Sequence, residues 1–222
     1  MKTVVAIHTA MPMVEPTKAL FAKHLPDVRL INIVDDSLIQ DVIQSNTVPH
    51  GVSKRLINYY FIARDVGADI IFNTCSSVGD VAIHARDLLD VPIVKIDDAM
   101  AEEAVLKYKK IGVLATLQTT MEPTVRLLHC FAKKHNKKCI ISESLANGAF
   151  EAIINGDQKL HDSLIMEAAN KIAPNVDAIV LAQGSMARME TKISELTCKP
   201  ILSSPERGVL SIQNVLNILL DS

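Results

Sequence analysis

The chain has no tryptophan, and its five phenylalanines and three tyrosines are all the aromatic surface it carries. That leaves no evident platform on which nucleic-acid bases could stack. Charge of one sign is equally scarce. Twenty-three Lys and Arg against 25 Asp and Glu give a formal charge of −2, so nothing electrostatic points to nucleic acid or to an anionic membrane as partner. No window approaches 18 uncharged apolar residues, which argues against a membrane span. The four cysteines (Cys75, Cys130, Cys139, Cys198) lack C-x-x-C spacing. A single Lys2 precedes the short run Val4 to Ile7, which breaks off at His8 and reads as a strand, not as a signal peptide. Without an export signal the cysteines are expected to be free thiols, and the location to be cytoplasmic. No G-x-G-x-x-G follows the first strand, and no glycine-rich loop carries the Lys of a P-loop. His8, His24, His50, His84, His129, His135 and His161 show no H-E-x-x-H spacing. Neither a cofactor nor a metal is therefore expected.

What is present is a repeat. Shifted by 108 residues, Val113 falls on Val5, Asp177 on Asp69, Ile179 on Ile71, Ser185 on Ser77, Pro200 on Pro92 and Ile201 on Ile93. Gln183 falls on Cys75, so a thiol in one half answers to an amide in the other. An apolar fraction of 49% with 22% charged residues suits a globular chain able to bury a core.

In the first half, strands are expected at Thr3–Ile7, Arg29–Val34, Asp69–Phe72 and Val91–Ile96. Helices are expected around Ala19–Phe21, over Val52–Val66 with Gly67 as the stop, and from Asp80 to Leu89. The second half repeats the order with strands at Lys110–Ala115, Lys138–Ile141, Ala178–Leu181 and Lys199–Leu202. Thr116–Thr120 and Gln183–Met186 read as strand-exit loops, Pro123 as a first-turn residue of the next helix, and His161–Ile172 as a helix. Strands apolar on both faces and alternating with helices predict parallel sheets covered by helices, an α/β fold. The segment Gly208–Leu220 has no counterpart and is expected to pack on the first half. The predicted lobes are residues 1–98 with 206–222, and 99–205. Ligands of open parallel sheets bind beyond the carboxyl ends of the strands, so the expected site is a cleft shared by the exit loops.

Cys75 lies in such a loop among Asn73, Thr74, Ser76 and Ser77. It reads either as a small buried hydrophobe or as a reactive thiol, and four polar neighbours sit awkwardly in a dry core. A free thiol is only about 3% ionised at pH 7. A helix beginning near Gly79 offers at most about 2 kcal/mol towards the thiolate. Gln183 cannot gain or lose a proton near neutrality; it either caps the next helix or orients substrate. Thr116, Thr119 and Thr120, with Gly184 and Ser185, read equally as anion-binding groups and as helix caps. His8 is a proton donor, a ligand or an ordinary loop residue, with Thr9 beside it. One of Asp35 and Asp36 could orient it while the other caps a helix, and Asp97-Asp98 mark the junction of the lobes.

The runs Asn73-Thr74-Cys75-Ser76-Ser77, Ile111-Gly112-Val113-Leu114-Ala115-Thr116 and Leu181-Ala182-Gln183-Gly184-Ser185-Met186 resemble the aspartate/glutamate/hydantoin racemase superfamily, in order and over most of the chain. The resemblance implies two Rossmann-like lobes related by a pseudo-twofold axis and isomerase activity without cofactor. It also implies two cysteines on opposite faces of a substrate α-carbon. Cys75 matches the first; Gln183 stands where the second would be, which makes this a one-cysteine member. The implied substrate is a small carboxylate, and the implied binding residues are Thr9, Asn73, Thr74, Ser76, Ser77, Thr116, Thr119, Thr120, Gln183, Gly184 and Ser185, with Cys75 and His8 catalytic. Two alternatives stand beside racemisation: a one-faced decarboxylase, lyase or cis–trans isomerase, and a carboxylate sensor without catalysis. A homodimer is the default oligomer.

Overall fold

The computed structural model describes residues 1–221; Ser222, the last residue of the expected first lobe, and the side chains of Leu220 and Asp221 lie outside the described residues. The chain forms two compact units, Met1–Asp98 together with the chain from Pro205 onward, and Ala99–Ser204. Each holds one four-stranded parallel sheet flanked by helices, an α/β fold.

The first unit runs β1 (Thr3–His8), α1 (Val14–His24), β2 (Arg29–Val34), α2 (Ser37–Ser45), α3 (His50–Asp65), β3 (Ile70–Asn73), α4 (Gly79–Ala85) and β4 (Ile93–Lys95), with strand order β2-β1-β3-β4. All six residues of β1 are buried, because helices cover both sheet faces. Alternation then sorts the side chains. Val5, Ile7, Ile71 and Ile93 meet Leu38, Val42, Val52, Leu56, Tyr60 and Ala63 from α2 and α3, while Val4, Ala6, Ile70, Phe72 and Val94 meet Phe21 of α1 on the other face. Helix α4 is shorter than its sequence predicts, giving way to a 3₁₀ turn over Arg86–Leu88. Helix α2 follows Asp35 and Asp36, one of which is expected to cap a helix, although the sequence predicts no range for that helix.

The second unit runs α5 (Asp98–Lys107), β5 (Lys110–Ala115), α6 (Gln118–Lys134), β6 (Ile140–Leu145), α7 (Ala149–Ile154), α8 (Gln158–Ile172), β7 (Ala178–Leu181), α9 (Glu190–Thr197) and β8 (Ile201–Leu202), in the order β6-β5-β7-β8. Strand β6 corrects the expectation that pairing stops before Ser142: Ser142, Glu143 and Ser144 pair with Gly112, Val113 and Leu114. An edge strand tolerates such polar residues because one side faces solvent. Helix α6 starts at Gln118, so Thr119 and Thr120 lie in its first turn and not in a loop, and Pro123 is its sixth residue. Leu117 opens it in extended conformation, its carbonyl accepting from the N–H groups of Thr120 and Met121. Proline inside the helix forgoes one bond, to the carbonyl of Thr119.

Several repeated residues do the same structural job twice. Asp69 accepts from the N–H of Thr3 at the head of β1, and Asp177 from the N–H of Lys110 at the head of β5. The carbonyls of Pro92 and Pro200 accept from the N–H groups of Ile71 and Ile179. The last helix, α10 (Ser204–Asp221), lays Val209, Ile212 and Leu216 on the Phe72 face of the first sheet. Gly208 permits that approach: a methyl group there would stand 2.6 Å from the carbonyl oxygen of Ile96.

Candidate functional site

Strand β3 ends at Asn73, and Cys75 follows in extended conformation (φ −125°) before a 3₁₀ turn, Ser76–Val78, leads into α4. Every polar neighbour of Cys75 is buried: Asn73, Thr74, Ser76 and Ser77 are each at most 9% exposed, while Cys75 itself is half-buried. The loop is held by specific bonds. Asn73 Nδ2 donates to the Cys75 carbonyl at 2.9 Å, and its Oδ1 accepts from the hydroxyl of Tyr60 at 3.0 Å. The N–H of Thr74 donates to the carbonyl of Ile7 at 3.2 Å. A buried loop can carry this much polarity only because nearly every group has a partner.

The sulfur has a mixed setting. Desolvation is the larger effect and pushes the Cys75 thiol up from its ordinary value. The Thr9 hydroxyl, the N–H groups of Ser77 and Val78 and the Ser77 hydroxyl pull it back. This reverses the expectation that the helix start tips the loop towards thiolate: burial outweighs the donors, and the thiol is the favoured form. Ser77 Oγ is buried and faces the sulfur without a bond to any nitrogen or oxygen of the protein.

His8 is the last residue of β1, not a loop residue, and is fully buried. Its Nε2 lies 2.9 Å from Asn32 Oδ1 and its Nδ1 lies 3.0 Å from Thr74 Oγ1, so both nitrogens are engaged. Desolvation lowers its pKa, with the Asn32 contact opposing. A neutral ring that donates through Nε2 to Asn32 turns Nδ1 to the Thr74 hydroxyl, whose single proton also faces the Ile7 carbonyl at 3.0 Å. Neither aspartate orients it. Asp35 is drawn into a separate cluster with Ser37, Tyr59 and Arg55, which hold its carboxyl below its ordinary value despite partial burial. Asp36 makes no side-chain cap; Asp35 takes that part, accepting from the N–H of Ser37.

In the second unit, Gln183 and Thr116 are joined side by side. Gln183 Oε1 accepts from the Thr116 N–H at 2.7 Å, and Gln183 Nε2 donates to Thr116 Oγ1, also at 2.7 Å. Thr120 donates its hydroxyl to the carbonyl of Leu117 at 2.8 Å, a bond within the first turn, and α6 has no side-chain cap. Thr119 Oγ1 is buried without a partner, whereas Gly184 is half-buried and Ser185 exposed at the start of a 3₁₀ turn. His8, Thr9 and 73–77 thus gather in the first unit, and Thr116 and Gln183 in the second. Among the described residues, no group of three or more His, Cys, Asp or Glu could hold a metal ion, and no helix is long and apolar enough to cross a membrane.

Sequence reasoning overlooked two parts of the first unit's cluster. Tyr60 buttresses Asn73 from α3, and Lys95, buried at the end of β4, stands against Asp97 and Asp98 beneath the Cys75 loop. A lysine ending an apolar strand, Ile93-Val94-Lys95-Ile96, was the available signal. A hollow of about 230 Å³ lined by Phe21, Leu25, Leu30 and Asn32 lies elsewhere, between α1 and β2, and includes no residue of that loop.

Solved structures share this fold. Allantoin racemase from Klebsiella pneumoniae superposes with a TM-score of 0.73 at 16% identity, over 98% of this chain and 89% of that one. Glutamate racemase from Bacillus anthracis gives 0.74 at 14% identity, over 97% and 82%. Unliganded arylmalonate decarboxylase gives 0.56 at 12% identity, over 95% and 91%. Among curated proteins, no sequence matches. The family model for Asp/Glu/hydantoin racemases matches residues 3–211, nearly the whole chain, and the chain therefore belongs to the Asp/Glu/hydantoin racemase family.

Proposed function

We propose that the chain is a cofactor-independent enzyme that moves a proton at an acidic carbon of a small carboxylate, with Cys75 as the acid–base group. The observation that carries this reading is the Cys75 sulfur itself, a half-buried thiol faced by the Thr9 and Ser77 hydroxyls and by the N–H groups of Ser77 and Val78. As thiolate, Cys75 takes the proton from carbon, the C–H electron pair moves into an enolate, and aligned donors hold the negative oxygen. As thiol, it delivers a proton to the same face in the reverse direction, so inversion at the carbon requires a second proton carrier on the opposite face. Of the candidate binding groups in the first unit, the Ser77 hydroxyl faces the sulfur and suits a carboxylate or enolate oxygen; in the second unit, Thr119 carries a buried hydroxyl without a partner. Asn73 and Thr74 are already engaged within the protein and serve as supports for the loop, and His8 positions Thr74.

A second reading, chemistry from one face, is favoured by Gln183. An amide bonded at both ends to Thr116 neither accepts nor delivers a proton. A resting thiol also suits a proton donor that quenches an enolate after loss of carbon dioxide or cleavage of a C–C bond. Proton NMR in D₂O over a panel of both enantiomers of aspartate and glutamate, allantoin, and an arylmalonate separates the readings. Deuterium entering from either enantiomer supports isomerisation. Carbon dioxide release with a single labelled configuration supports the one-faced reaction. Ligand-induced thermal stabilisation with no exchange and no release from any of them would refute the enzymatic proposal and leave a sensor.

A further inference from the structure

Lys95 closes β4 opposite Asn73, and its side chain is 3% exposed. Its ammonium lies 3.5 Å from Asp97 Oδ1 and 3.3 Å from Asp98 Oδ1. Asp98 is also held by Arg86 Nη2 at 2.8 Å, so Asp97, itself 1% exposed, is the buried counter-ion left to Lys95. Asp97 Oδ1 makes no hydrogen bond, and both Lys95 separations are longer than a direct N–H···O bond. Buried ions of opposite sign are costly to desolvate, and an apolar pair of equal volume is often no less stable. Bulk stability is therefore a poor account of this pair, and its location is a better one.

The pair touches both ends of the turn that serves the sulfur. Burial pushes the Asp97 carboxyl up from its ordinary value, with Asp98 adding to the rise, while the Lys95 ammonium and a hydrogen bond from the adjacent Ser76 side chain pull it back. At the other end, Gly79 has space for a hydrogen alone: a methyl group would stand 2.7 Å from Lys95 Cε and 3.1 Å from Nζ. Between Ser76 and Gly79 sit Ser77 and Val78, whose N–H groups face Cys75. We propose that the Lys95–Asp97 ion pair sets the charge balance beneath the candidate catalytic turn, Ser76 to Gly79, and so tunes the ionisation of Cys75, on the reading of Cys75 as the reacting thiol. The other titratable and charged groups around that turn are Tyr60 of α3, His8 behind Thr74, Asp80 in the first turn of α4, and the Arg86–Asp98 pair.

The test is the pH dependence of Cys75 alkylation by iodoacetamide, read by mass spectrometry on the peptide that contains it, so that Cys130, Cys139 and Cys198 do not interfere and no substrate is needed. Lys95→Met removes the cation and should move the midpoint up by about half a pH unit or more. Gly79→Ala, which displaces the ammonium, should move it the same way. Asp97→Asn should move it down, and the double variant Lys95→Met/Asp97→Asn should return it close to the wild-type value. Unchanged midpoints in the single variants, or shifts of one sign in both, would overturn the proposal, since general loosening of the loop drives every variant towards a free thiol. Should Lys95→Met fail to fold, Asp97→Asn and the double variant decide alone, the first by a downward shift and the second by its reversal. Failure of the Cys75 assignment is separately visible: full turnover in Cys75→Ser would remove the catalytic role whatever the alkylation midpoints show.

Discussion

The side-chain amide of Gln183 grips Thr116 at both ends, with Oε1 on the backbone N–H and Nε2 on the hydroxyl, each at 2.7 Å. The position that answers to Cys75 in the repeat is thus occupied by a tie between the exits of β5 and β7. Its loss should be felt as stability. Gln183→Ala leaves the N–H of Thr116, a residue only 7% exposed, without an acceptor, which costs about 1–3 kcal/mol. Gln183→Glu keeps an oxygen for that N–H and should lose less at neutral pH. Urea denaturation of both variants checks this, and equal stability of Gln183→Ala and wild type would remove the tie.

A second expectation concerns the helix that returns from the end of the chain. Gly208 sits where a methyl group would lie 2.6 Å from the Ile96 carbonyl oxygen and 3.0 Å from its Cα. Backbone cannot yield as a flexible side chain can, so Gly208→Ala should push α10 off the first sheet and cost about 1–3 kcal/mol by overpacking. Thermal unfolding reports the loss, and an unchanged midpoint would show that the helix shifts freely.

Burial fixes the sign of one pH effect. The pKa of His8 is lowered from 6.5, so below that pH the unfolded chain binds a proton that the folded chain still refuses. Stability should fall as the pH drops from about 6.5 towards the lower folded value, then level off. In His8→Gln that slope should be missing, and the comparison isolates His8 from the other histidines. Parallel stability curves for the two proteins between pH 7 and 5 would contradict the assignment.

The opposite case is Asp162, held down to about 2 chiefly by Arg188, whose Nη1 donates to it at 2.9 Å, with His161 adding to the effect. Its contribution is complete above the unfolded carboxylate value of 3.8 and is lost as pH falls through about 2. Arg188 is 39% exposed, and solvent screening keeps the gain of the pair to about 1 kcal/mol or less. Asp162→Asn should therefore be slightly less stable than wild type at pH 6, with the gap closing by pH 2. A gap that persists in acid would point to packing instead of charge.

The residues that exposed the repeat to sequence reading are those whose work is backbone geometry. Asp69 and Asp177 bond the heads of β1 and β5, while Pro92 and Pro200 accept from Ile71 and Ile179, so these positions cannot drift independently. Strands buried on both faces were legible from their apolar runs, Val4–Ile7 in β1, Ile70–Phe72 in β3 and the whole of β7. Legibility failed where tertiary context overrode a local signal. Ser142, Glu143 and Ser144 continue β6 because an edge strand accepts polar residues. Pro123, a good first-turn residue, lies deeper because Leu117 starts the helix one turn earlier. At the site, the Cys75 loop could be read as chemistry from its composition, but the sign of the thiol shift could not. That sign is set by burial, which sequence does not give. The pairing of Lys95 with the residue two places along, beneath a loop some twenty residues earlier, depends on where β4 lies beside β3.

The most direct measurement is turnover by Cys75→Ser against wild type on whichever carboxylate of the D₂O panel exchanges or releases carbon dioxide. Serine keeps the size and hydrogen-bonding pattern but is far too weak an acid to replace the thiol. A fall in kcat of at least about a hundredfold, with the fold intact by circular dichroism, is the predicted result for loss of the proton-transfer group. Undiminished turnover would contradict the account at its centre, because no other ionisable sulfur lies in that loop.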